Sequence, residues 1–448
     1  VTITVRVAQS RALDRWDVKQ MLALSWHRPA AELRAIGDVA VRRTEASSSV
    51  LRLGSIHFDG KISLRPAEAS IKGRTFVAHP GDVVFSKIDV RNGAIGVVPE
   101  EFGKLAFSPE YPIFDMSAVG EVLSAYMRIL CRTAVFRSQV QALVVGHSGR
   151  KRVSPELFES LTIPVPPLEE QHRIVRAELE AQDRIQHLRT VETSVLADAV
   201  QEISDFLGLV STHIAPIKFP FVAQSVRLDR WSVSSAVAGV RGVARELVSD
   251  YPVRPLGDLA VVSYGLQKSP TNRPGKHAHP YLRVANVQNG YLDLDEMKTI
   301  EVPPAQLDLF LLKPGDVLLC EGNSADLVGR PAIWSGEIEK CVHQNHVLRV
   351  RMESDELLPE YLLAYMQTAP SRLHFRQRAK QTTNLATINS TDVRELSIPV
   401  PGVAEQRKIA ALWADAQLQA QVAKRQAREE ENRSRRQIEM MISEGVAV

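Results

Sequence analysis

Ile163-Pro164-Val165-Pro166-Pro167-Leu168-Glu169-Glu170-Gln171 returns 235 positions later as Ile398-Pro399-Val400-Pro401-Gly402-Val403-Ala404-Glu405-Gln406. Other pairs keep the same order: Leu13-Asp14-Arg15-Trp16 with Leu228-Asp229-Arg230-Trp231, Gly37-Asp38 with Gly257-Asp258, Leu51-Arg52 with Leu282-Arg283, and Gly81-Asp82 with Gly315-Asp316. Their offsets climb from 215 through 220, 231 and 234 to 235. Chance matches do not form a rising ladder, so the chain carries an internal duplication whose second copy is longer by about 20 residues. Two similar modules on one chain make a pseudo-twofold molecule, suited to a target that itself has two parts.

Each copy of the motif opens a long helical stretch. Pro166-Pro167 with Glu169 and Glu170 is helix-start chemistry, because proline suits the first turn and carboxylates face the positive end of the helix dipole. Gly208 supplies a stop, and Ile174, Ala181, Ile185, Leu188, Val195, Ala199 and Phe206 fall near three- and four-residue steps, making one apolar face. In the second copy Pro401 and Glu405 start a helix that Gly445 ends, with Ile409, Leu412, Ala416, Ala420, Ala423, Ala427, Ile438 and Met441 on one stripe. Glu430 and Ser434 weaken the middle of that seam, while Glu429 with Arg433 and Glu431 with Arg435 are spaced as i,i+4 pairs. Helices of roughly 40 residues are about 60 Å long. A single small-residue stripe does not hold such a helix alone, so the two are expected to pair as an antiparallel coiled coil; the alternative is that each packs only on its own module.

Residues 1–166 read as short β-type runs punctuated by glycine and proline, such as Val83-Val84-Phe85 and Ala94-Ile95-Gly96-Val97-Val98, with helical periodicity near Val122 to Val140. The expected fold is α+β: a first module at 1–166, a spacer helix at 167–208, a second module at 209–401 and a second spacer helix at 402–445.

Composition narrows the function classes. A length of 448 residues, 44% apolar and 24% charged, gives a prior of about three globular domains. No apolar run approaches the ~18 residues of a membrane span, and Arg6, Arg11, Arg15 and Lys19 crowd a start without a signal-like apolar core. Three cysteines, Cys131, Cys320 and Cys341, are too few and too odd for a disulfide framework, so a cytosolic protein is expected. A net charge of +3 permits nucleic-acid binding without demanding it.

No phosphate-binding loop, dinucleotide fingerprint, nucleophile elbow or Asn-Pro-Pro-Tyr-like turn is found, which argues against covalent chemistry in this chain. Cys341, His343 and His346 with distant Cys320 are zinc-type ligands at an unrecognised spacing, and a core reading of these residues is preferred. Polar, glycine-flanked stretches suit DNA better. In the first module they hold Lys87, Arg91 and Asn92, then Arg150, Lys151 and Arg152; in the second Gln267, Lys268, Asn272, Arg273 and Lys276, then Gln344 and Asn345, then Arg376, Arg378, Lys380, Gln381, Thr383 and Asn384. Arginine and lysine neutralise phosphates; arginine also grips guanine O6/N7, and asparagine or glutamine adenine N6/N7. The framework pairs match between copies while these stretches differ, as one scaffold with two reading heads would.

On these features the chain resembles the specificity subunit of type I restriction-modification systems. The likeness extends to Tyr281-Leu282-Arg283-Val284-Ala285-Asn286-Val287-Gln288-Asn289-Gly290, to Pro314-Gly315-Asp316-Val317-Leu318-Leu319 and Gly329-Arg330-Pro331-Ala332-Ile333-Trp334, and in the first module to Gly81 through Ile88 and Gly93 to Gly96. One departure is the second helix start, where Gly402-Val403-Ala404 replaces Pro167-Leu168-Glu169.

The resemblance implies a non-catalytic subunit in which two target-recognition domains each read half of an asymmetric bipartite DNA sequence and the paired helices set the spacer. It further implies docking of two adenine methyltransferase subunits that use S-adenosylmethionine, with Glu170, Gln171, Glu405 and Gln406 as candidate partner contacts, and of ATP- and Mg-dependent translocating nuclease subunits. No cofactor is expected on this chain. Helices of about 60 Å bound the distance between heads at about 18 base pairs, and overhanging modules bring it nearer one turn, ~10 base pairs. A fused, type IIB-like restriction-modification enzyme, a zinc-dependent DNA enzyme and a protein-binding scaffold are the alternatives.

Overall fold

The computed structural model describes residues 26–47, 51–66, 73–143, 152–209, 247–269, 273–324, 327–381 and 385–445. The Leu13 to Trp16 and Leu228 to Trp231 pair therefore lies outside the described residues. The chain divides into two compact units. Unit 1 is Val1–Leu188 with Arg425–Val448, and unit 2 is Arg189–Lys424, so each combines one module with a segment of each long helix.

Unit 1 begins with β1 (Leu33–Ala35), α1 (Ile36–Val39) and β2 (Val41–Arg43), then a hairpin of β3 (Gly54–Ile56) and β4 (Ile62–Leu64). It continues through β5 (Phe76–Ala78), β6 (Val83–Phe85), β7 (Ile95–Val97), β8 (Leu105–Phe107) and β9 (Ile113–Asp115) to α2 (Ser124–Leu130), α3 (Ala134–Ala142) and α4 (Pro155–Glu159). Strand β10 (Thr162–Pro164) leads into α5 (Leu168–Phe206). The central antiparallel sheet runs β2-β9-β6-β7, and β10 pairs back with β1, Leu33 opposite Pro164. The single helical stretch expected near Val122 to Val140 is broken: Thr133 returns its hydroxyl to Leu130 O and accepts from Phe136 N, ending α2 and capping α3.

Unit 2 repeats the plan with additions. Its strands are β11 (Val253–Pro255), β12 (Ala260–Ser263), β13 (Ala278–Leu282) and β14 (Lys298–Glu301); after α6 (Leu307–Phe310) come β15 (Asp316–Cys320), β16 (Gly322–Asn323), β17 (Pro331–Trp334), β18 (Val342–His343) and β19 (Val347–Met352). Helices α7 (Pro359–Tyr365) and α8 (Ala369–Arg378), strands β20 (Lys380–Gln381) and β21 (Ala386–Thr387), α9 (Ser390–Arg394) and β22 (Ser397–Pro399) precede α10 (Val403–Glu444). The sheet β12-β19-β15-β17 matches that of unit 1, and β22 closes on β11 as β10 does on β1. Among the described residues, sheets β14-β13-β18 and β16-β21-β20 have no counterpart of the same make-up in unit 1.

The recurring Gly-Asp pair has a local cause. Gly81 and Gly315 sit at φ +85° and +91°, where a Cβ is strained, and the buried carboxylates of Asp82 and Asp316 close the turn by accepting from His79 N (2.8 Å) and Lys313 N (2.7 Å). Arg43 on β2 reaches Asp82 at 2.8 Å, whereas Arg351 on β19 reaches Asp316 at 2.7 Å, so the same charge is met from different strands.

The long helices enter both cores. In unit 1, Ile174 of α5 and Ile438, Met441 and Ile442 of α10 share a cluster with Tyr126 and Phe158; in unit 2, Ala199, Ile203 and Leu207 of α5 and Ile409, Trp413 and Ala416 of α10 share one with Leu256, Tyr361 and Tyr365. Phe206 is not on the buried face as expected. It is exposed and stacks on Tyr251, with Ile203 buried in its place. The expected Glu429–Arg433 pair also gives way: Arg433 bonds the buried Glu430, Glu429 lies 3.7 Å from Arg425, and only Glu431–Arg435 forms as spaced, at 3.6 Å. Gly208 and Gly445 end their helices at φ +61° and +71°.

Candidate nucleic-acid interface

The loop that leaves the central sheet after β6 or β15 is tied into the same backbone junction in both units. In unit 1, Lys87 N donates to Glu110 O at 3.0 Å and Lys87 O accepts from Val153 N at 2.9 Å; in unit 2, Glu321 N donates to His346 O at 3.0 Å and Glu321 O accepts from Ile388 N at 2.9 Å. These bonds use only main-chain groups, so they do not depend on which side chains stand there. The side chains differ in charge. Lys87 and Arg152 flank Glu110, with Arg152 3.4 Å from it, whereas Glu321 is 2.6 Å from His346 Nδ1.

Several expected DNA contacts gather at these junctions. Arg91 and Asn92 form a short turn on the Lys87 loop; Asn92 is exposed, and Arg91 Nε is buried without an acceptor among the described residues. In unit 2, Leu266 holds the Gln267-Lys268 segment to the Gln344-Asn345 turn, donating to His343 O at 2.8 Å and accepting from Asn345 N at 3.0 Å. Gln267 and Lys268 are exposed, and Gln344 and Asn345 half-buried. The exposed Lys380 joins through β20, which pairs with β21, itself paired with β16 just past Glu321. Arg378 turns instead to Glu395 at 3.2 Å. Arg273 is exposed on the approach to Gly275 and His277, which donate to Glu301. Arg150, Lys151, Asn272, Thr383 and Asn384 lie outside the described residues. Glu110 and Glu321 were missed by reasoning from motifs, although Lys87 and Glu321 each stand six positions after their Gly-Asp glycine.

The zinc-type residues are used separately. Cys320 and Cys341 are buried thiols, and burial pushes Cys341 up to about 12. His343 is fully buried; its Nδ1 lies 2.7 Å from Val347 O, which can only accept, and burial pushes the ring down to about 4. Among the described residues no group of three or more His, Cys, Asp or Glu side chains is placed to hold a metal ion.

The helix-start motifs need a correction. Gln171 and Gln406 were expected to face partners, yet both are fully buried. Gln171 accepts from Leu123 N (2.9 Å) and donates to Glu121 O (2.7 Å) and Pro166 O (2.8 Å). Gln406 accepts from Leu358 N (2.8 Å) and donates to Glu356 O (2.8 Å) and Pro401 O (2.9 Å). With its acceptor and both its donor hydrogens engaged inside the module, each amide is a lock between helix start and module. Tyr126 and Tyr361 add a matching bond, to Pro164 O and Pro399 O. Glu405 stays half-exposed, while Glu170 is 2.7 Å from Arg28. Arg28 was not foreseen: nearly buried, it also bonds Glu32 at 2.9 Å and the carbonyls of Met441 and Ile442 at the end of α10, where a helix lacks its own donors.

Residues 249–414 match the family described as the type I restriction modification DNA specificity domain. Over this region the chain is similar to the type I restriction specificity subunits. It is similar to the putative MjaX specificity subunit of Methanocaldococcus jannaschii, 28% identical over 172 residues, covering 38% of this chain and 40% of that one. It is similar too to the EcoKI specificity subunit of Escherichia coli, 22% identical over 298 residues, covering 64% and 57%. The chain thus spans about half the length of the curated relatives it matches. A chain solved in work on complex assembly and conformational transition of the type I R-M system aligns over 92% of this chain and 96% of its own at a TM-score of 0.53; at 18% identity this is a likeness of fold. The specificity domain so matched contains the Glu321 junction, the β11–β22 closure and the Gln406 lock. No helix among the described residues is long and apolar enough to cross a membrane.

Proposed function

We propose that this chain is the DNA-reading, non-catalytic specificity subunit of a type I restriction-modification enzyme. The observation that carries the reading is the backbone junction built twice with different side chains, Lys87, Glu110 and Arg152 in one unit and Glu321 and His346 in the other. One scaffold holding two chemically distinct surfaces suits a target of two unlike halves, each junction lending side chains to phosphates and base edges. In this reading α5 and α10 pair in antiparallel fashion and set the gap between half-sites, and the Glu170 and Glu405 helix starts lie near the docking surface for two methyltransferase subunits. S-adenosylmethionine belongs to those subunits, and ATP and Mg to the restriction subunits. Base extrusion and methyl transfer fall to the partner.

The test is the N6-methyladenine pattern of the host genome with this gene intact and deleted. Loss of one gapped, asymmetric motif on deletion is expected; an unchanged pattern refutes the reading. Exchanging the first module for that of a relative should then change one half of the motif and leave the other. The type IIB-like alternative shares this geometry and is separated by whether one partner chain carries both methylation and cleavage.

A further inference from the structure

The seam of α10 is chemically uniform over much of its length. Ala416, Ala420, Ala423 and Ala427 are all buried at alternating steps of four and three. Equal small side chains at that spacing fit a neighbouring helix almost as well after a slip of seven residues, so they select a face without selecting a register. The next two steps break the pattern with Glu430 and Ser434, both buried. In unit 1 Arg184 of α5 meets the Glu430 carboxylate, Nε to Oε1 at 2.8 Å, and Arg433 bonds the same group. The three side chains line a cavity of about 420 Å³ with Leu188, Gln426 and Glu429.

We propose that Glu430 and Arg184 are positioning residues that fix the register of α10 against α5, and thereby the gap between half-sites; the last clause rests on the DNA-reading function. A slip of one turn, about four residues, sets Glu430 opposite Glu180 or Leu188, and a slip of one heptad toward the helix start sets it opposite Ala177. None of these supplies a cation from α5, which leaves the buried carboxylate with Arg433 of its own helix alone. Only the observed register gives it a partner on the facing helix. Arg28 is the competing device, because it too ties the two helices, bonding Glu170 on α5 and the Met441 and Ile442 carbonyls on α10.

The test uses the full chain with spin labels at the exposed Arg176→Cys and Arg428→Cys; the three native cysteines are buried. The parent should give one inter-label distance. Replacing both partners by leucine should add a second population displaced by about 10 Å, one heptad at 1.5 Å per residue. The charge-swapped pair, Glu430→Arg with Arg184→Glu, should return a single distance, which a purely packing role would not require. A single parental distance in the leucine pair overturns the proposal, and a split on Arg28→Met alone assigns the register to that clasp instead. Selection from random DNA duplexes is read beside it. One gap length for the parent and a mixture for the leucine pair supports the link to spacing. A split distance with an unchanged gap keeps the pin and sinks the ruler, and no motif from the parent sinks the DNA-reading function alone.

Discussion

Replacing Gln406 by alanine removes three buried hydrogen bonds at once, to Leu358 N, Glu356 O and Pro401 O. Each is worth about 1 kcal/mol net, so the loss should be about 3 kcal/mol. For a unit of this size that lowers Tm by about 6–12 °C. Gln171→Ala should cost the same, because Leu123 N, Glu121 O and Pro166 O occupy the same places around it. Glutamate separates hydrogen bonding from shape: Gln406→Glu can still accept from Leu358 N but turns a carboxylate toward two carbonyls. That raises its folded pKa, so the penalty is small below the unfolded value of about 4.3 and grows as pH rises through the folded one. Urea unfolding followed by hydrogen exchange in each unit reads both variants. A loss below about 1 kcal/mol for either alanine variant, or a gap above about 2 kcal/mol between them, would refute the claim that the two locks are equivalent.

Arg28→Met should destabilise unit 1 by about 3 kcal/mol and speed amide exchange in the last turn of α10 while leaving unit 2 unaltered, since two carbonyls and two carboxylates lose their donor. Unit 2 should lose stability as pH falls from about 6.5 toward 4, because burial keeps His343 and His374 neutral when folded while the unfolded chain takes up two protons; each contributes a loss of order 3 kcal/mol, and His343→Gln should remove about half of the total, read as urea midpoints at pH 7 and pH 5. Lys87→Ala and Arg152→Ala should each lower the slope of log K against log salt by about 1 on selected DNA, and Glu321→Ala should not lower it.

The duplication, both long helices and the strands at Val83–Phe85 and Ile95–Val97 could be read from the sequence because each leaves a local mark: a repeated motif, a three-four spacing, a Gly-Asp turn. The junctions could not. Lys87 with Glu110 and Glu321 with His346 are joined by main-chain bonds across the sheet, and such pairing imposes no residue type at either end. Gln171 and Gln406 were visible as a repeat but misread, since a conspicuous glutamine looks the same in sequence whether it faces solvent or is locked among backbone groups. Arg28 is unannounced for a different reason: its partners lie at Glu170 and at Met441 and Ile442, and no pattern links positions so far apart.

The division of labour between main chain and side chain has a consequence for how such a protein changes its target. A buried glutamine and a buried tyrosine hold each helix start to its module, main-chain amides hold each junction, and both sets recur in the two copies with bonds of the same kind. The groups that differ, Lys87 against Glu321 and Glu110 against His346, project from positions whose structural bonds ignore them. Substitutions at half-exposed sites of this kind usually alter stability by less than about 0.5 kcal/mol, whereas a side chain that grips a base edge supplies about 1–3 kcal/mol of discrimination. On the proposed DNA-reading function, recognition can therefore drift at the junctions while folding stays fixed by the locks, and the two modules of this chain would be two outcomes of that drift on one backbone.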